Sequence, residues 1–228
     1  MQIAARILAA ACAALVVGGG VARANLITNG GFEAPIVAAG SFSNFGTGST
    51  GITGWTVTGP AGKGVSPVST TFVQNGVTFE AQAGNQWLDM TGDGSNSTEG
   101  VQQSVATTAG TNYVLTFYIG NTTGGGVFGT TSTDGLDING VRVGTFTNNA
   151  ADATGLNWEQ FSYSFMASGA STTIGFVNLD PGSDNSNGLD GVDLELGTVG
   201  APEPASIGLA GCSFVALALL VRRRRRAK

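Results

Sequence analysis

The chain has 228 residues, and its 37 glycines far exceed the usual share of ~7% without any G-x-y period of the collagen kind. Its ten basic residues crowd the two ends, so that between residues 25 and 200 only Lys63 and Arg142 face fourteen acids, a net charge of −12. That charge excludes nucleic-acid binding, which needs clustered Lys and Arg on phosphates. The absence of histidine, with the two cysteines confined to Cys12 and Cys212, removes Ser-His-Asp and Cys-His catalysis, His/Cys zinc sites and disulfide scaffolding from the middle of the chain.

In chain order, residues 1–24 carry one early charge, Arg6, an apolar stretch over 7–17 and the small-residue ending Ala22-Arg23-Ala24. This is the plan of a secretory signal peptide, and the Gly18-Gly19-Gly20 break argues against a buried helix.

The middle of the chain, 25–200, is patterned for strands. Tyr113, Leu115, Phe117 and Ile119 share one parity, as do Phe161, Tyr163 and Phe165, and as do Val192, Leu194 and Leu196 opposite Asp193 and Glu195. Asn139-Gly140 between two β-prone runs predicts a two-residue hairpin. Eight to ten short strands without a helical period predict an all-β fold, a single β-sandwich of the jelly-roll kind.

At the C-terminal end, Pro202-Glu203-Pro204 precedes seventeen uncharged residues, 205–221, and then Arg222, Arg223, Arg224, Arg225 and Arg226. A helix of that length spans roughly 26 Å, the short limit for crossing a bilayer, with the arginines held on the cytoplasmic side. The three parts together resemble the PEP-CTERM sorting signal of exported bacterial proteins, also labelled an ice-binding protein C-terminal domain. The resemblance covers 201–226. It implies recognition of Pro202, Glu203 and Pro204 by an exosortase, removal of the tail, transient residence in the inner membrane of a Gram-negative-type bacterium, and delivery to the cell surface or extracellular matrix. The isolated Thr56-x-Thr58 has no repeats behind it, so ice binding is not expected.

The middle segment opens Asn25-Leu26-Ile27-Thr28-Asn29-Gly30-Gly31-Phe32-Glu33 and closes Leu189-Asp190-Gly191-Val192-Asp193-Leu194. With Gly54-Trp55, Gly84-Asn85-Gln86-Trp87-Leu88-Asp89 and Gly100-Val101-Gln102-Gln103 between them, these resemble galactose-binding-like β-sandwich domains. The closing motif departs from that pattern at Gly191, and 124–129 reads as a glycine-rich insertion. The resemblance implies a structural calcium ion held by Glu33 and Asp190, with backbone oxygens near Asn29 to Gly31. Calcium also suits the acid excess.

Sugar rings stack on aromatic faces, which makes Trp55 and Trp87 the residues expected to bind polysaccharide, with Trp158 expected in the core. The one catalytic class compatible with the composition is a paired-carboxylate glycosidase, for which Asp89, Glu80 and Glu159 are available without a spacing that selects a pair. The oxygen-rich loops at 93–96 and 180–188 read as turns. The sequence therefore points to a signal peptide at 1–24, a β-sandwich at 25–200 and a sorting signal at 201–228. The expected protein is exported and non-catalytic and binds extracellular polysaccharide; the alternatives are a carboxylate-dependent carbohydrate-active enzyme and a purely structural surface protein.

Overall fold

The computed structural model describes residues 24–92, 98–122, 129, 131–150, 154–182 and 187–197. The signal-peptide reading, the tail at 201–228, and the loop stretches 93–97, 123–128 and 183–186 lie outside the described residues. The strands are β1 (Phe45–Gly46), β2 (Thr56–Thr58), β3 (Gly64–Ser69), β4 (Val73–Gln74), β5 (Val77–Thr78), β6 (Gln86–Asp89), β7 (Gly100–Ala106), β8 (Asn112–Asn121), β9 (Ser132–Ile138), β10 (Val141–Asn148), β11 (Asn157–Met166), β12 (Ser171–Asn178) and β13 (Gly188–Leu196). They form a six-stranded sheet, β1-β3-β6-β13-β8-β11, a five-stranded sheet, β10-β9-β12-β7-β2, and the small hairpin β4-β5. The fold is all-β, and among the described residues no helix is long and apolar enough to cross a membrane.

Alternation accounts for the long strands. In β8 the four residues of inward parity, Tyr113, Leu115, Phe117 and Ile119, are all buried. Their partners Phe161, Tyr163 and Phe165 on β11 face the same way but stay half-buried, because β11 ends its sheet. In β13, Val192 and Leu194 are buried, whereas Leu196 emerges at the strand end. Asn139 and Gly140 take φ of 53° and 78°, the left-handed pair a type I′ hairpin demands, and join β9 to β10. The two-residue strands β1, β4 and β5 add to the eight to ten expected, since two residues cannot show a period.

Between the sheets lies one large core, with Phe117 at its centre: its ring meets Phe176 at 4.9 Å and Phe146 at 5.1 Å, both edge-on, and Phe161 at 5.9 Å. Such aromatic pairs are worth about 0.5–1.5 kcal/mol each beyond the area they bury. A second cluster, Val68, Val77, Phe79 and Trp87 with Trp158 packed against it, covers part of the six-stranded sheet's outer face. Trp158 was expected in the main core; its parity is opposite to that of Phe161, which sends it outward across β8. Gly120 and Gly188 make room there, since a Cβ on Gly120 would fall 2.8 Å from the Trp158 ring.

The start of the body is stitched to its end. Leu26 N donates to Leu194 O at 2.9 Å, and the Asn25 side chain both accepts from Leu194 N and donates to Val192 O. Gly30 fits against β13 only because it lacks a side chain; a Cβ there would overlap Val192 O at 1.9 Å.

Candidate functional site

The opening and closing motifs meet at one corner of the six-stranded sheet, where β13 slips register between Asp190 and Asp193 and Gly191 takes φ of 56°. Glu33 and Asp190 are brought together there: both flank Gly31, with Asp190 Oδ1 and Glu33 Cγ at 3.7 and 3.8 Å from where its Cβ would lie. One turn holds both acids. Glu33 Oε1 accepts from Asn85 N (2.7 Å) and Gln86 N (3.0 Å), while Asp190 Oδ2 accepts from Gln82 N (3.0 Å) and Ala83 N (3.4 Å) and its Oδ1 from Gly191 N (2.7 Å). Burial, and secondarily the Glu33 charge, push the Asp190 carboxyl up to about 7 despite those amides. Two facing carboxylates with hard oxygens and a destabilised charge suit a calcium-class cation in chemistry. Among the described residues, however, no three His, Cys, Asp or Glu side chains are grouped for a metal, so the corner offers the pair alone.

The tryptophan expectation is corrected. Trp55 is 1% exposed and Trp87 3%, so neither presents a face to a sugar. Trp55 packs between Phe32 at 5.3 Å and Phe176 at 6.5 Å, its Nε1 donating to Asn29 O. Trp87 stacks on Phe79 at 6.1 Å, meets Trp158 edge-on at 6.0 Å and donates to Phe79 O. Both indoles have a large apolar body and one donor, and folding satisfies both needs internally. Of the acids considered for hydrolysis, Glu80 and Glu159 are exposed, and Asp89 closes β6 with Thr91 N on its Oδ1 at 2.9 Å. Burial raises the Asp89 carboxyl to about 7.

What alternation did not single out is the outer face of the five-stranded sheet. A groove of about 220 Å³ crosses β2, β7, β12 and β9, lined by Thr58, Gln102, Asp137, Thr173, Gly175 and Val177 among others. Gly175 forms its floor: a Cβ there would lie 3.6 Å from Asp137 Cβ and 3.8 Å from Gln102 Cβ. Thr173 is held by Asn139 Oδ1 through its backbone N (2.8 Å) and by Ser104 through its hydroxyl (2.7 Å). At one edge Arg142 donates from Nε to Asp137 Oδ1, and its guanidinium lies over Gly135. Carboxamide, carboxylate, guanidinium and hydroxyls thus share one open face. These groups can donate to and accept from a polyhydroxylated ligand. The signal in the sequence is the polar half of each strand, Gln102 and Ser104 on β7 and Thr173 on β12.

Two sheets packed face to face, with the first and last segments paired, define an all-β sandwich. Residues 25–190 match DUF642, a family of proteins of unknown function, and the chain belongs to that family. No curated protein matches the sequence. Among solved structures, a cyclase from Fischerella sp. TAU is similar at 17% identity over 74% of this chain and 94% of that one, with a TM-score of 0.50, a likeness of fold. Two others are a family 16 carbohydrate-binding module-2 (21% identity, 75% and 99% covered, TM-score 0.41) and TmCBM61 in complex with β-1,4-galactotriose (15%, 76% and 99%, TM-score 0.44).

Proposed function

We propose that this protein is an exported, surface-sorted, non-catalytic module that holds extracellular polysaccharide in the groove of its five-stranded sheet. The observation that carries the reading is the floor at Gly175 flanked by Gln102 and Asp137, in an open groove of about 220 Å³ that polar side chains share. Gln102 and Asp137 offer planar groups to neighbouring hydroxyls, Thr58 and Thr173 add single contacts, and Arg142 fixes Asp137 from the side. Weak retention, at about micromolar to millimolar affinity, or about −8 to −4 kcal/mol, suits an open site of this kind.

Glu33 and Asp190 would hold a structural calcium ion between the first segment and β13, where it would supply positive charge to two facing carboxylates. The tail reading is retained: Pro202, Glu203 and Pro204 would be read by an exosortase, with 205–221 in the membrane and the run from Arg222 to Arg226 inside, until cleavage frees the body.

The test is retention of the full chain on immobilised acidic and neutral polysaccharides, with reducing ends assayed in parallel. Retention that falls in Gln102→Ala and Asp137→Asn, without release of reducing ends, supports the reading. Hydrolysis abolished by one carboxylate change would replace it with an enzyme, and wild-type chain that no polymer retains would replace it with a structural surface protein.

A further inference from the structure

At the end of the sandwich where β6 and β12 finish and β7, β9 and β13 begin, acids are tied together by buried amides. Asn187 Nδ2 donates to Asp134 Oδ1 and Asn178 Oδ1, both at 3.0 Å, and to Thr133 O at 3.2 Å. Asn178 Nδ2 reaches Met90 O at 3.3 Å and Glu99 Oε1 at 3.4 Å, and its Oδ1 also receives Asp180 N at 2.9 Å. Asp180 Oδ1 accepts from Thr133 N at 2.7 Å, and the Glu99 charge acts in turn on Asp89. Asp134, Asn187 and Glu99 are wholly buried and Asn178 is 1% exposed. Every donor in these contacts is an amide. Arg142, the guanidinium nearest in sequence to Asp134, is engaged with Asp137 on the opposite face of β9.

Asp134 Oδ2 and Asn187 Oδ1 are acceptors in this network without a hydrogen-bond donor, inaccessible to solvent although their two side chains are already bonded through their other atoms. An acceptor left bare in the interior carries the full cost of its lost hydration, and a charged one more. Burial also pushes the Asp134 carboxyl up to about 8, against the pull of Asn187 and Arg142. A positive species within reach of both oxygens would remove both deficits at once.

We infer that Asp134 Oδ2 and Asn187 Oδ1 are ligands of a hard divalent cation, calcium in class, bound inside this end of the sandwich and apart from the Glu33 and Asp190 corner. The donor set decides the class. It is all oxygen, which suits calcium and not zinc, whose sites favour nitrogen and sulfur. It joins one bare carboxylate to an amide oxygen, and calcium accepts carbonyl and amide oxygens alongside carboxylates without strict geometry. Magnesium demands a near-ideal octahedron at shorter distances, whereas calcium tolerates an irregular oxygen set. The ion would tie β9 of the five-stranded sheet to the head of β13 in the six-stranded one, a clamp between the two layers.

The experiment counts calcium bound to the full chain at equilibrium with the metal alone, after treatment with chelator, in wild type, Asp134→Asn and Glu33→Gln. Wild type should hold an ion that Asp134→Asn loses, its affinity falling at least tenfold, and that Glu33→Gln keeps. Asp134→Asn is isosteric and relieves a buried charge, so in chelator it should melt higher than wild type, and it should gain less than wild type from added calcium. Asp134→Asn binding as many ions as wild type, with equal affinity, overturns the inference. So does a wild type whose melting in this region follows pH alone and ignores calcium, since a shared proton would then fill the place. If Asp134→Asn fails to fold, the ion remaining on Glu33→Gln decides: one ion supports the site, none defeats it. Loss of binding in Glu33→Gln alone would report on the other corner and leave the wild-type ion unassigned to Asp134, which also defeats this inference.

Discussion

Arg142 and Gly135 occupy the same space on the five-stranded sheet: a Cβ on Gly135 would lie 2.2 Å from the guanidinium carbon. The arginine lies flat across β9 because the strand offers a gap there, and from that position it holds Asp137 at the edge of the groove. Gly135→Ala should therefore lift the guanidinium off the sheet and free Asp137. Both partners are partly exposed, so the loss in stability should stay under about 1 kcal/mol by urea denaturation. Polysaccharide retention should fall severalfold, and a variant that binds as wild type would detach Arg142 from the groove's function.

Trp55→Ala should cost about 3–5 kcal/mol, as deletion of a large buried aromatic does, and leave Asn29 O with the Phe32 amide as its donor. Loss of glycan retention in that variant would then track loss of the cooperative melt. A well-folded Trp55→Ala that had lost only binding would contradict the burial found here.

Gly120→Ala should drive a methyl into the Trp158 ring and destabilise by about 1–3 kcal/mol through overpacking. The same change should disturb the edge-on Trp87–Trp158 pair, visible as a shift in tryptophan fluorescence before global unfolding.

In chelator, acidity should stabilise the protein through Asp89. Its carboxyl rises from 3.8 to about 7 on folding, first through burial and last through the Glu99 charge. Between those values the folded state binds the proton that the unfolded state has released, so this contribution to stability is present in full below 3.8 and is lost as pH climbs through 7. Asp89→Asn should flatten the slope of melting temperature against pH over that window. A wild-type profile already flat there would refute the assignment.

Added calcium at a hundredfold excess over its dissociation constant should stabilise by about 2.7 kcal/mol for each site that exists only in the folded chain. For the corner reading, Glu33→Gln should remove one such increment. Intact-mass measurement of surface-extracted protein should find the body without 205–228, and Glu203→Ala should block that loss.

The strands were legible where they were long. Tyr113 to Ile119 and Asn139-Gly140 carry patterns that only β-structure and a tight hairpin satisfy, and the matched ends, Glu33 and Asp190, were expected together from resemblance and are together. Trp55 and Trp87 failed as exposed faces because a lone tryptophan carries no parity signal; its burial depends on partners such as Phe32 and Phe79, whose approach the fold alone arranges. The groove escaped for a related reason. Gln102, Asp137 and Thr173 sit far apart in sequence and become neighbours only through the order β9-β12-β7, which no local pattern encodes. Asp134 and Asn187 were hidden by the same distance.

The position of β13 has a consequence for how the chain comes into being. The last strand of the body is not an edge but an interior member of its sheet, between β6 and β8, and it also receives the first segment through Leu26 and Asn25. Everything before residue 188 therefore lacks the middle of a sheet and the anchor of its own beginning. Contacts of such long range form late, after their loop entropy has been met. A nascent chain therefore cannot complete its six-stranded sheet until residue 196 is out.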